Sequence, residues 1–369
     1  MSQSESLVEP WAFILGREMA DVFAIDDWQA LNGTVRFRGR LLVEPEVAMS
    51  LLAPRVEPMG FAPLIHTREE IALIRLPAAA RRAASRWKGW PLNLTLLIAT
   101  LGTTLFAGAM MEGADPLSQP LALLKGVPFS ASLLLILGCH EMGHYLTARA
   151  YGVQVSLPYF IPLPLPPMGT MGAIIKMRSP IPSRKVLFDI GIAGPLAGLV
   201  LSIPILAIGL HFSSVKAVSD LAAQEGAFSL GDSLASSFLQ WLVIGPIPSG
   251  YDVFLHPMAL AGWLGFFVTA LNLMPLSQLD GGHLVYAALG QRYRRVVWAF
   301  MGVLVILFMV SRWPGWLIWV ALSVGLGLKH PPPLDDLTPL DPLRRWLALL
   351  ALALLVALLP PLPFAVYEL

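Results

Sequence analysis

Charge is what this chain of 369 residues has least of: Lys, Arg, Asp and Glu make up 13% of it, where a soluble domain carries about 25%. Its 25 basic and 24 acidic side chains leave a formal net charge of +1, so the basic surface of a nucleic-acid binder is missing and no nucleic-acid partner is expected. The single cysteine, Cys139, excludes an intramolecular disulfide. The first 20 residues hold Glu5, Glu9, Arg17 and Glu18 and lack a basic stretch leading into an apolar one, so no cleaved secretory signal is expected. Internal repeats of fixed period are not evident either. Apolar residues are what is abundant. They make up 56% of the chain, and the 31 Gly and 32 Pro stand mostly between apolar runs, the pattern of a lipid-solvated protein with interrupted helices.

A membrane helix needs about 20 mostly apolar residues, and that requirement divides the chain near residue 90. Residues 1–89 have ordinary charge density, an alternating stretch at 35–43, a helix-like segment at 44–53 with Pro45 in its first turn, and apolar alternation at 71–76. They predict a small α+β cap. Uncharged runs follow at 91–111, at 127–139 and onward, and at 190–210, 257–279 and 346–364. Between 296 and 328 the one charge is Arg312, beside Trp313-Pro314-Gly315-Trp316, which predicts a hairpin of two short spans. The expectation is an all-α polytopic membrane protein of about seven transmembrane helices with re-entrant segments. Its parts would be the cap (1–89), a membrane-embedded catalytic core with one preceding span (90–295) and additional C-terminal transmembrane helices (296–369). Short loops rich in Lys and Arg stay on the cytoplasmic side. Arg81, Arg82, Arg86 and Lys88 precede the first span, Lys176, Arg178, Arg184 and Lys185 follow the second, Arg292, Arg294 and Arg295 the fourth, and Lys329, Arg344 and Arg345 the sixth. That bias predicts a multi-pass protein of the cell membrane with a cytoplasmic cap.

Within the second run stands His140-Glu141-Met142-Gly143-His144, an H-E-x-x-H pattern that puts two imidazoles on one face of a helix. Such a pair grips one metal ion, and the adjacent carboxylate of Glu141 can serve as general base toward a metal-bound water. Ionisable groups are costly inside an apolar span and mark functional sites there.

The third ligand is not local. Thr147 and Ala150 stand where a metzincin would have Gly and His, and residues 145–185 contain no Asp, Glu or His. The candidates are Asp189, His211, Asp220, Glu225, Asp232, Asp252, His256, Asp280 and His283, most of them in the far-side loop. Asp280 stands apart. It follows the uncharged run 257–279, where Pro275 and the pair Gly281-Gly282 are expected to break the helix at bilayer depth, and non-helical backbone survives there only against protein or a wet cavity. Two neutral His and one carboxylate also neutralise Zn²⁺ better than three His would. The competing role for Asp280 is the N-cap of a helix starting at Gly281. Asp189 is the rival ligand, with an interfacial salt bridge as its simpler role, and His283 is expected either to donate a hydrogen bond to one of the metal ligands or to make a structural contact. Cys139 points away from His140 and is expected to pack as a small apolar side chain.

With these residues assembled, the sequence resembles the site-2 protease family of intramembrane zinc metalloproteases. H-E-x-x-H matches 140–144; N-x-x-P-x-x-x-L-D-G matches Asn272, Pro275, Leu279, Asp280 and Gly281; the small-residue pattern of the third span matches Gly194-Pro195-Leu196-Ala197-Gly198. The resemblance implies a three-helix catalytic core holding one Zn²⁺ on His140, His144 and Asp280, with Glu141 as catalytic base and Asn272 positioning substrate or stabilising the oxyanion. It implies hydrolysis of a peptide bond within or near a transmembrane segment of another membrane protein, with the lipid bilayer as surroundings. Many bacterial members insert a PDZ domain between catalytic segments, whereas the loop 211–256 here is too short for one, so the PDZ-less branch is the nearer likeness. A membrane-dipping edge strand at 169–177, after a proline-rich turn at 158–167, is expected to capture the unwound substrate, and proline at Ile174 to reduce cleavage while leaving zinc bound. The alternatives are a membrane-embedded metal transporter and a zinc-binding, non-proteolytic homologue.

Overall fold

The computed structural model describes residues 9–31, 33–76, 89–165, 168–219, 228–276, 278–326 and 330–366. The orientation-setting Arg81, Arg82, Arg86, Lys88 and Lys329 and the candidate acids Asp220 and Glu225 lie outside the described residues.

Residues 9–76 build an α+β unit from helix α1 (Glu9–Glu18), strands β1 (Phe23–Leu31) and β2 (Thr34–Leu41), helix α2 (Pro45–Val56), and strands β3 (Phe61–Thr67) and β4 (Glu70–Arg75). The strands pair antiparallel in the order β1-β2-β4-β3. Alternation decides β2: Val35 and Phe37 are buried while Arg36 and Arg38 are exposed. Helix α2 opens on Pro45, whose fixed φ suits the first turn, and buries Ala48, Leu52 and Val56 on one stripe against Leu15, Met19, Phe23, Ile65 and Ile71. Strand β1 escaped sequence reading because a bulge between Ile25 and Asp27 breaks its period at an Asp-Asp pair.

From residue 89 the chain is mainly apolar helix. Helix α3 (Trp90–Met111) is followed by a 3₁₀ turn (Pro120–Gly126) that runs into α4 (Val127–Ala150). Strands β5 (Tyr159–Pro162) and β6 (Thr170–Ile174) form a hairpin, and α5 (Arg184–His211) starts at the N-cap Ser183, whose hydroxyl accepts from the Val186 amide. The loop that follows carries β7 (Ser214–Ala217), β8 (Phe228–Leu230), α6 (Leu234–Val243) and β9 (Tyr251–Phe254). Then come α7 (Pro257–Leu273), α8 (Asp280–Leu289), a 3₁₀ turn at Gly290–Arg292, α9 (Tyr293–Ser311), α10 (Gly315–Leu326), α11 (Pro342–Leu358) and β10 (Phe364–Val366).

Four of the described helical stretches are long and apolar enough to cross a membrane: Trp90–Met111, Pro120–Ala150, Arg184–His211 and Asp280–Ser311. The protein is a polytopic membrane protein, and among the described residues this criterion counts four of the seven expected spans. Helices α7 and α11 have 17 residues each, so at about 1.5 Å per residue they fall short of a hydrocarbon core roughly 30 Å thick. The interruptions are chemical. Pro275 follows the end of α7, and Trp313-Pro314 separates α9 from α10, where Arg312 takes φ +57°. The core of the helical body runs through Phe129, Leu133, Leu137, Phe188, Trp263 and Phe267.

Candidate active site

Helix α4 carries His140, Glu141 and His144, all with 6% exposure or less. The two imidazoles share a face, with ring centroids 4.9 Å apart and planes at 74°. Gly143, between them in sequence, lets α5 press against α4: a Cβ there would sit 2.5 Å from the Ala193 carbonyl. Further along α5, a Cβ at Gly194 would sit 2.1 Å from Nε2 of His144, and one at Gly198 3.3 Å from Nδ1 of His140. The small residues of 194–198 are thus the wall behind the imidazoles. The same helix supplies an orienting group, since Nδ1 of His144 donates to the Ile190 carbonyl at 2.7 Å. In the neutral ring that bond places the proton on Nδ1 and leaves the Nε2 lone pair facing inward, the state a metal requires.

The third member arrives from far along the chain. Helix α7 stops at Leu273, residues 274–276 leave helical geometry at Pro275, and α8 begins at Asp280. The glycines expected to break the helix lie inside the first turn of α8. Gly281 is needed there for close approach, because a Cβ would lie 2.0 Å from the Leu273 carbonyl. Asp280 is the first helical residue, its predecessor Leu279 occupies the cap position, and no side chain caps the helix, so the capping role considered for Asp280 is not realised. Its Oδ2 lies 3.3 Å from Nε2 of His140 and 3.2 Å from Nε2 of His144, and the two nitrogens are 3.2 Å apart.

That triangle tests the fit to a metal. Ligands at about 2.0 to 2.1 Å from one tetrahedral ion stand about 3.3 Å from each other, which is the spacing of all three edges here. Among the described residues these three are the group whose donor atoms converge in this way, and two imidazoles with one carboxylate suit zinc. Glu141 places Oε1 4.0 Å from Nε2 of His140 and accepts a hydrogen bond from the Ile175 amide, just past β6. Asn272, in the last turn of α7, brings Nδ2 to 3.2 Å from the same nitrogen. All five residues singled out from the sequence therefore meet at one point.

The rival candidates do other work. Asp189 takes a two-point contact from Arg344, Nε to Oδ1 at 2.7 Å and Nη2 to Oδ2 at 2.5 Å, and accepts from the Tyr151 hydroxyl. His256 caps α7 through the Met258 amide at 3.2 Å. His211 packs edge-on against Phe212. His283 meets the His330 ring, with a nitrogen-to-nitrogen distance of 2.6 Å. Asp232 and Asp252 stay in the far-side loop, where Asp252 accepts from the Val253 amide.

The description "Peptidase family M50" fits residues 128–310, the stretch from the start of α4 through α9 that contains His140, Glu141, His144, Asn272 and Asp280. The chain belongs to this family, the site-2 proteases. Among its relatives, "Probable zinc metalloprotease EGY1, chloroplastic" of Arabidopsis thaliana is 33% identical over 238 residues, covering 64% of this chain and 43% of the relative. "Probable zinc metalloprotease EGY2, chloroplastic" of the same plant is 26% identical over 360 residues, covering 94% and 63% respectively. "Probable zinc metallopeptidase EGY3, chloroplastic" is 27% identical, covering 78% and 52%. The chain thus spans less than two thirds of the length of these relatives. No solved structure matches it. Two contributions to the M50 site, the Ile190 carbonyl on His144 and the Ile175 amide on Glu141, are backbone groups, and no side-chain pattern signals them.

Proposed function

We propose that this protein is an intramembrane zinc metalloendopeptidase that hydrolyses a peptide bond within or near a transmembrane segment of a membrane-protein substrate. The observation that carries the reading is the triangle of His140, His144 and Asp280 at tetrahedral spacing with Glu141 beside it, enclosed by apolar helices. The zinc metalloprotease names of the relatives support it.

When bound, zinc supplies a Lewis acid and brings the pKa of a coordinated water toward about 7. Glu141 takes the water's proton and passes it to the leaving amine. Its carboxylate is held for this by the Ile175 amide. Asn272 points its amide at the same place and donates to the oxygen that gains charge as the carbonyl is attacked. Asp280 and the two imidazoles hold the metal, and the Ile190 carbonyl fixes the tautomer of His144.

A helical substrate must unwind first, and β6 offers an edge to receive it. The Lys176 amide bonds back to the Ser156 hydroxyl at 2.9 Å, while the Ile175 amide turns to Glu141. Amides alternate sides along a strand, so that of Ala173 faces the open edge on the Glu141 side and that of Ile174, the partner of Tyr159, faces β5. The hairpin is braced against α3 by Asn93, whose amide donates to the Leu157 and Pro158 carbonyls at 3.0 and 2.8 Å.

The proposal keeps the divisions 1–89, 90–295 and 296–369, the PDZ-less branch, and the cap on the side where Lys and Arg accumulate. The expected cell-membrane location gives way to the coarser statement of membrane insertion, since the relatives named above are chloroplastic. The deciding experiment reconstitutes wild type and Glu141→Gln in liposomes with single-span substrates. Quantitative membrane proteomics of native cells carrying either form supplies those substrates. Cleavage by wild type alone, with zinc retained in both, supports the reading. Zinc flux that survives Glu141→Gln, with cleavage by neither form, would instead identify a transporter.

A further inference from the structure

Outside the metal site the most heavily bonded buried acid among the described residues is Asp336, with 2% exposure. It lies in the segment between α10 and α11 that follows Pro331-Pro332-Pro333. Its Oδ1 accepts from Nε of Arg184 at 2.8 Å, and its Oδ2 accepts from the Tyr286 hydroxyl at 2.9 Å and lies 3.2 Å from Nδ1 of His66. The backbone there is fixed from two sides. On one side the Ile65 amide donates to the Leu334 carbonyl and the Asp336 amide to the Ile65 carbonyl, at 2.8 and 3.2 Å. On the other side the amides of Leu334 and Asp335 donate to the carbonyls of Ile181 and Pro182, at 2.9 Å each. The segment thus bridges edge strand β3 of the N-terminal unit and the approach to α5, with Asp335 in a single parallel bridge to Ile65 on one side and to Ser183 on the other.

The partners of Asp336 stand at matched places. Arg184 is the first residue of α5 and Ile190, which orients His144, comes six residues later; Asp280 is the first residue of α8 and Tyr286 comes six residues later. Six residues of helix measure about 9 Å. One carboxylate therefore joins α5 and α8 about 9 Å from the points where those helices supply the orienting carbonyl and the carboxylate ligand. If α8 slid on α5 by 1 Å, Asp280 would leave the imidazoles by the same amount. The stacking of His330 on Tyr286, with ring centroids at 4.4 Å and planes at 18°, holds that residue from its other face.

We propose that Asp336 is a positioning residue of the metal centre: by bonding Arg184 and Tyr286 at once it sets the register of α8 against α5, and with it the place of Asp280 relative to His140 and His144. The inference rests on the metalloprotease reading for its kinetic part alone.

The test uses the full chain in nanodiscs, comparing wild type, Asp336→Ala and Tyr286→Phe, each loaded with Co²⁺ in place of zinc. The absorption bands of Co²⁺ report ligand geometry without any need for turnover. Both variants are expected to shift those bands, and Asp336→Ala to lower kcat on the zinc form about tenfold, the smaller end of the range for outer partners of metal ligands, with KM within about twofold. Unchanged bands in both variants overturn the proposal, and so does a loss of kcat without a band shift. Tyr286→Phe removes one hydroxyl and keeps the ring, so it decides the matter if Asp336→Ala does not fold. If the wild type cleaves nothing, the metalloprotease reading fails while the Co²⁺ bands still judge the role of Asp336.

Discussion

Replacing Gly194 by alanine puts the close approach of α5 to the metal site under direct test. The new methyl carbon would start 2.1 Å from Nε2 of His144, and ordinary contact begins at 3.4 Å, so the two must separate by about 1.3 Å. The backbone of α5 cannot easily yield, because the carbonyl of the preceding residue, Ala193, already lies so close to Gly143 that a Cβ there would sit 2.5 Å from it. The imidazole cannot swing freely either, being held at Nδ1 by the Ile190 carbonyl. The displacement falls on the ligand nitrogen, whose bond to zinc tolerates deviations of roughly 0.2 Å. Misplacement by about 1 Å costs on the order of 10²-fold in rate, and the overpacking costs about 1 to 3 kcal/mol of stability. Gly198→Ala is the internal control. Its methyl would meet Cβ and Nδ1 of His140 at 3.3 Å, a shortfall that a small ring adjustment absorbs, and its activity should stay within about tenfold of wild type. Cleavage of a reconstituted substrate, zinc content and apparent Tm are measured together. Equal damage from both substitutions, or full activity and zinc in Gly194→Ala, would refute this account of the wall behind the imidazoles.

Ala173→Pro removes an amide from the open edge of β6 and should lower cleavage at least several-fold with zinc content unchanged; normal turnover would rule out strand capture at that edge. Proline at Ile174, by contrast, would disrupt the pairing with Tyr159. Asp189→Asn should cost about 2 kcal/mol of stability through loss of the ion pair with Arg344 but retain a full equivalent of zinc, whereas Asp280→Asn should lose most of it, as metal analysis after dialysis would report. Burial, reinforced by the neighbouring His283, holds the His330 pKa down to about 4, below the ordinary value of about 6.5. The unfolded chain therefore binds the extra proton first on acidification. Stability is undiminished by this group above pH 6.5 and falls by up to about 3 kcal/mol as the pH drops to 4, so His330→Gln should flatten the decline of apparent Tm across that interval.

Much of this was legible in the residues themselves because it depends on short-range order. Low charge and long apolar runs announce the membrane. Four-residue spacing on a helix forces His140 and His144 to one side, and a proline next to an Asp-Gly-Gly sequence signals a break beside an ionisable group. Strand β2 and helix α2 followed from alternation and from Pro45. The misreadings also have local causes. The bulge at Ile25–Asp27 concealed β1, and Gly281, taken for a helix breaker, is a contact point inside a helix. Among the described residues four helical stretches reach spanning length, because composition measures greasiness and not where a proline such as Pro275 ends a helix.

By itself the sequence determined that the protein lives in lipid, that two imidazoles and Glu141 sit on one helical face, and that a third ligand must come from elsewhere, with Asp280 as the foremost candidate. Only the tertiary structure decided that Asp280 closes the triangle, that Asp189 is spent on Arg344, that Ile190 fixes the His144 tautomer, and that Asp336 ties α5 to α8. The difference is one of distance along the chain. Periodicity and composition act over a few residues, whereas these contacts join segments separated by 46 to 155 residues and exist because packing of α4, α5 and α8 brings their backbones together.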